Sequence, residues 1–142
     1  MSSVIGLWAH LLFNGVANEA IDHYAQALDA TVAARMFWRD MPGGGAPEDK
    51  AGWVMHSRLI VGKNSLLVAD DFGGPDAPPK TNGTLMIEFN DAADMAKKFE
   101  ALAVGGKVLM PIHDAFWGAK FGQLVDKFGV PWMFHCESKP AA

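Results

Sequence analysis

Glu88, His135 and Glu137 are the residues of this chain best placed to do chemistry. His135 and Glu137 stand two apart in a strand-like run with Met133, so all three project from one face, and Thr84, Met86 and Glu88 alternate in the same way in another run. A carboxylate near an imidazole can serve as base and acid, or can anchor a cationic or amide ligand. The alternative is that both glutamates lie in water at strand ends and His135 is a half-buried, hydrogen-bonded histidine. His56 and Arg58 also share a strand face and could grip an anionic or carbonyl group, or form an internal polar network with Asp126 or Asp70. Trp117, with Phe116, opens a loop where an aromatic ring could stack on a flat ligand. Trp38 and Trp53 flank a glycine-rich loop, and all four could equally be core or dimer contacts. Gly43, Gly44 and Gly45 do not cradle phosphate, because no helix and no GKS or GKT ending follows them. Cys136 alone can form neither an internal disulfide nor a CxxC site, and it reads as a small buried hydrophobe.

The elements that must hold these residues repeat. Residues 7–14 are strand-like, and Ala20, Ile21, Tyr24 and Leu28 then recur at helical spacing. Strands are predicted over 31–38, 54–61 and 65–70, the last two joined by a turn at Gly62, Lys63 and Asn64. A linker over 71–82, with Gly73, Gly74, Pro75, Pro78 and Pro79, ends the first module. The order then recurs with a strand over 84–90, a helix capped by Asp91 and striped by Met95, Phe99 and Leu102, a left-handed residue at Gly105, and strands over 107–113, 120–125 and 130–137. Both first strands end in asparagine, Asn14 and Asn90. Two helices against eight strands exclude a doubly wound parallel sheet and give an α+β chain of two βαβββ modules, about 7–70 and 83–138. A helix covers one face of each sheet, and pairing of the modules would turn the other face into a cup.

The chain has 142 residues, half of them hydrophobic, with 12 basic against 16 acidic side chains. The charges are scattered, which argues against a nucleic-acid groove or an anionic lipid surface and favours a small-molecule ligand. No stretch is long and apolar enough to cross a bilayer and the first residues lack a leader pattern, so a cytoplasmic protein is expected.

From Leu11, Leu12, Phe13, Asn14 and Gly15 through His56 and Arg58 to Asp126, Lys127, Phe128, Gly129, Val130, Pro131, Trp132 and Met133, the chain resembles PhnB-like proteins. These form a branch of the vicinal oxygen chelate superfamily, with glyoxalase I, extradiol dioxygenases and bleomycin-resistance proteins. The resemblance implies paired βαβββ modules, mostly antiparallel curved sheets forming a cup, and a homodimer. Such proteins also carry the label 3-demethylubiquinone methyltransferase, but no GxGxG turn follows the first strand to hold S-adenosylmethionine.

Enzymes of this superfamily hold a divalent metal on strand residues inside the cup. The positions implied here are Ala9, Val68 or Ala69, Thr84 and Met133, which are not a competent donor set. The expectation is therefore no metal and no cofactor. With Met133 in the cup, alternation adds Thr84, Met86, Glu88, His135 and Glu137, and from the first strand Leu11 and Phe13, with His10 turned to the helix. His23 reads as solvated, and His113 is uninformative. Three functions remain open: a metal-free small-molecule binder, a metal-dependent enzyme using His56, Glu88, His135 and Glu137, and a dimeric scaffold whose cup is filled by its own side chains.

Overall fold

A computed structural model describes residues 3, 7–43, 45–71 and 83–137. The linker expected over 71–82 thus lies almost wholly outside the described residues, as do Gly44 and residue 138. The chain divides into two compact units, Met1–Pro78 and Pro79–Ala142, each with one sheet and one long helix.

The first unit runs β1 (Ala9–Phe13), α1 (Ala17–Leu28), β2 (Thr31–Phe37), β3 (Val54–Val61) and β4 (Asn64–Asp70), with short 3-10 turns at Trp38–Asp40 and Glu48–Lys50. Its four strands lie in the order β1-β4-β3-β2, with β1 parallel to β4 and the other pairs antiparallel. Ala17, Ala20, Ile21, Tyr24, Ala27 and Leu28 make the buried stripe of α1, and Ser57, Leu59, Leu66 and Val68 are among the buried residues of the strands. The fully buried Ser57 hydroxyl is satisfied by donating to the Val68 carbonyl.

The second unit repeats the plan with β5 (Leu85–Phe89), α2 (Ala92–Ala103), β6 (Lys107–Ala115), β7 (Ala119–Val125) and β8 (Pro131–Glu137), in the order β5-β8-β7-β6. Again the first and last strands run parallel while β6, β7 and β8 are antiparallel neighbours. Asp91 accepts the Ala93 N–H at 3.1 Å, and Gly105 takes φ +76°, so both expected ends of α2 are present. Met95, Phe99 and Leu102 bury themselves on the side of Leu124, Trp132 and Phe134, where Phe99 meets Phe134 edge to face at 5.2 Å. Gly122 leaves the room for this contact, because a Cβ there would fall 2.9 Å from Ile112 and 3.0 Å from Phe99.

Two buried carboxylates tie connections to the sheets. Asp70 accepts the N–H groups of Gly15 and Ala17 on Oδ1 and of Val54 on Oδ2, at 2.8, 3.1 and 3.0 Å. Asp126 accepts from Phe128 and Val130 on Oδ1 and from the Trp132 indole on Oδ2, at 2.8, 3.0 and 2.9 Å. Both are structural groups in this arrangement, each holding the chain where a strand gives way to a turn or helix. Among the described residues no helix is long and apolar enough to cross a membrane.

Candidate functional site

Strand register decides which side chains reach the sheet face away from each helix. In the second unit Glu88 pairs with His135, His135 with Phe121 and Phe121 with His113, so one row of side chains crosses all four strands. The next row is Met86, Met133, Gln123 and Met110. Trp132, Phe134 and Cys136 are buried on the helix side, as alternation requires.

His135 lies at the centre of this face. Its Nδ1 is 2.7 Å from Glu88 Oε1, a close contact without hydrogen-bond alignment. The Trp117 indole N–H donates to Nε2 at 3.1 Å, with the two ring planes within 5° of parallel. An indole nitrogen can only donate, so Nε2 must be the unprotonated nitrogen, and a neutral His135 carries its proton on Nδ1, toward the carboxylate. Phe121 meets His135 at 6.4 Å and Trp117 at 5.5 Å, tilted by 70° and 69°. The imidazole side chain is 16% exposed and Glu88 57%, so water screens the pair and its attraction adds little stability. The arrangement can orient the imidazole and present a hydrogen-bond acceptor beside aromatic and thioether surface.

The other expected residues of this unit do not join the group equally. Met86 is half exposed and Met133 is its neighbour across the parallel pair. Thr84 is exposed and precedes β5, and Glu137 is exposed at the end of β8, opposite Ala119.

In the first unit the register corrects the expected faces. Leu11 pairs with Val68 and Phe13 with Asp70, both buried toward α1, so Leu11 and Phe13 belong to the helix side. The face away from α1 carries His10, Leu67, Arg58 and Ala34 in one row, with His56 beside Met36. His10 was expected on the helix side. The error is a single residue of parity, and the matched asparagines held the signal that could have prevented it. Counting back two and four from Asn90 gives Glu88 and Met86, and the same count from Asn14 gives Leu12 and His10.

Partial desolvation first, and the nearby His56 second, hold the exposed His10 below the usual histidine range. Arg58 donates from Nε to Ser65 at 2.8 Å and lies 5.3 Å over the Trp8 ring. The network proposed between this strand and Asp70 does not form, because Asp70 is turned to the other face and bonded to backbone. Phe121 and His10 thus lie on the faces away from the helices, each in its own unit.

One residue beyond the expected positions Ala9 and Ala69 stand His10 and Asp70, and Asp70 is turned to the helix side with both oxygens accepting backbone N–H groups. Among the described residues no three His, Cys, Asp or Glu side chains form a group that could hold a metal ion.

The family model described as 3-demethylubiquinone-9 3-methyltransferase matches residues 6–134. The chain belongs to that family. The solved protein PA1353 from Pseudomonas aeruginosa is 35% identical with a TM-score of 0.81, over 94% of this chain and 98% of that one. A Bacillus cereus protein described as a putative 3-demethylubiquinone-9 3-methyltransferase, PhnB protein, is 22% identical with a TM-score of 0.74, over 93% and 99%. A glyoxylase/bleomycin resistance protein/dioxygenase domain from Frankia is 14% identical with a TM-score of 0.69, over 98% and 96%. The resemblance to PhnB-like proteins and the glyoxalase-like architecture therefore hold for this chain. Membership in the methyltransferase-named family does not carry its activity over, since one architecture hosts many reactions. In this chain β1 leads to α1 through Asn14, Gly15 and Val16, without a repeated glycine turn.

Proposed function

We propose that this protein binds a small, flat and largely apolar molecule without a metal, using the sheet face of its second unit. The observation that carries the reading is the surface made by Met86, Met133, Phe121 and Trp117 around a single oriented imidazole. Thioether and aromatic groups adapt to apolar ligands, and one polar group among them fixes orientation, which is the usual composition of a small-molecule site. The bleomycin-resistance part of the Frankia domain's description fits a binding role of this kind. Dimerisation through a second copy is part of the reading, as the family resemblance implies.

The test is metal analysis of protein purified without chelator from metal-supplemented medium, together with a screen of aromatic compounds by quenching of tryptophan fluorescence. Substoichiometric Fe, Ni, Zn and Mn with saturable quenching are expected. One tightly held transition metal per chain would overturn the proposal in favour of a metal-dependent enzyme.

A further inference from the structure

The contact between Trp117 and His135 specifies the kind of group a ligand must bring. The indole is a flat aromatic ring with one N–H in its plane. Its plane lies within 5° of parallel to that of the imidazole, it gives that N–H to Nε2 at 3.1 Å, and it sets its face at 69° to Phe121. It belongs to the turn between β6 and β7, where Trp117 is 51% exposed, its neighbour Phe116 is 98% exposed and Gly118 takes φ +88°. Such a turn can swing outward without disturbing a packed core, because few buried contacts oppose it. The acceptor, by contrast, is fixed. His135 sits inside a strand paired on both sides, and its Nδ1 lies 2.7 Å from the Glu88 carboxylate.

We infer that Trp117 is an internal stand-in for the ligand, and that the site takes a flat aromatic molecule whose ring-plane O–H or N–H replaces the indole as donor to His135 Nε2. A phenol or an N–H heteroaromatic has this chemistry. The inference rests on the binding role proposed above and names the ligand class for that same face. It requires the Nδ1–H tautomer of neutral His135, because a proton on Nε2 would face the indole N–H and leave no acceptor. Glu88 acts as a positioning residue by favouring that tautomer.

The experiment uses the full chain labelled with nitrogen-15 at histidine, at a pH where the ring is neutral. Long-range proton–nitrogen correlation is expected to show His135 as Nδ1–H with an unprotonated Nε2, and finding Nε2–H overturns the inference. Phenol and anisole are then titrated into the wild type and Trp117→Phe, which keeps an aromatic ring but removes the competing donor. Phenol affinity is expected to rise by about tenfold in the variant, the worth of one hydrogen bond no longer contested, while anisole changes little. An equal gain for both probes overturns the donor requirement and leaves apolar binding standing. If neither probe binds either protein, the proposed binding role fails and this inference with it.

Discussion

Asp126 is 3% exposed, and a carboxylate so placed persists only because donors surround it. Its bonds to Phe128, Val130 and the Trp132 indole close the turn that starts β8, the strand carrying His135. Asp126→Ala would leave buried donors unmet and is expected to cost about 3 kcal/mol, checked by the urea midpoint of unfolding. His10 gives a pH dependence. Its folded value lies below the usual 6.5, so as pH falls the unfolded chain takes the proton first. Stability is then full above 6.5 and declines as pH drops through the window below it. His10→Gln is expected to make that decline shallower in thermal melts run across mildly acid pH, whereas an unchanged slope would assign it to other groups. These residue types were visible in the sequence, but their partners were not. The sequence offers Asp126 as a partner for Arg58, whereas the structure gives it backbone and indole donors from its own turn.

Capping shows how far single elements could be read. For α2 the helix N-cap Asp91 and the left-handed Gly105 were legible, because both signals are local. For α1 the cap position is Val16, which has no side-chain acceptor, and the acceptor is Asp70 on β4, 53 residues from Ala17. Nothing near Val16 announces that arrangement, since it depends on β1 and β4 lying parallel. Glycines in the second unit mark close approaches of the same non-local kind. A Cβ on Gly106 would fall 2.2 Å from the Val125 carbonyl oxygen, where β6 meets the end of β7. Gly106→Ala is expected to cost about 3 kcal/mol, because the obstacle is backbone and cannot rotate away. Gly122→Ala meets the side chains of Ile112 and Phe99 first, at 2.9 and 3.0 Å, with the Ile112 backbone nitrogen further off at 3.2 Å, and is expected to cost less, about 2 kcal/mol. Thermal denaturation of the two variants side by side checks the order.

At the scale of the whole molecule, β6 is an edge strand on which Val108, Leu109 and Met110 are 42%, 52% and 38% exposed. Consecutive exposed apolar residues on a sheet edge suit pairing with another copy. The homodimer proposed for this protein should therefore appear in light scattering at twice 15.3 kDa, and Leu109→Glu is expected to shift it toward monomer. A monomeric wild type would remove that part of the proposal. Element types, their order, the repeated module and the family were all determined by the sequence, because periodicity, turn residues and caps act over a few positions and survive small errors in boundary. Facing did not survive such errors. In a strand one residue of parity exchanges the two sides, so the register of β1 against β4 alone could turn Leu11 and Phe13 toward α1 and His10 toward His56. The meeting of Trp117, His135 and Glu88 likewise awaited the tertiary structure, which brings a turn and two strands to one point through pairings the local sequence does not encode.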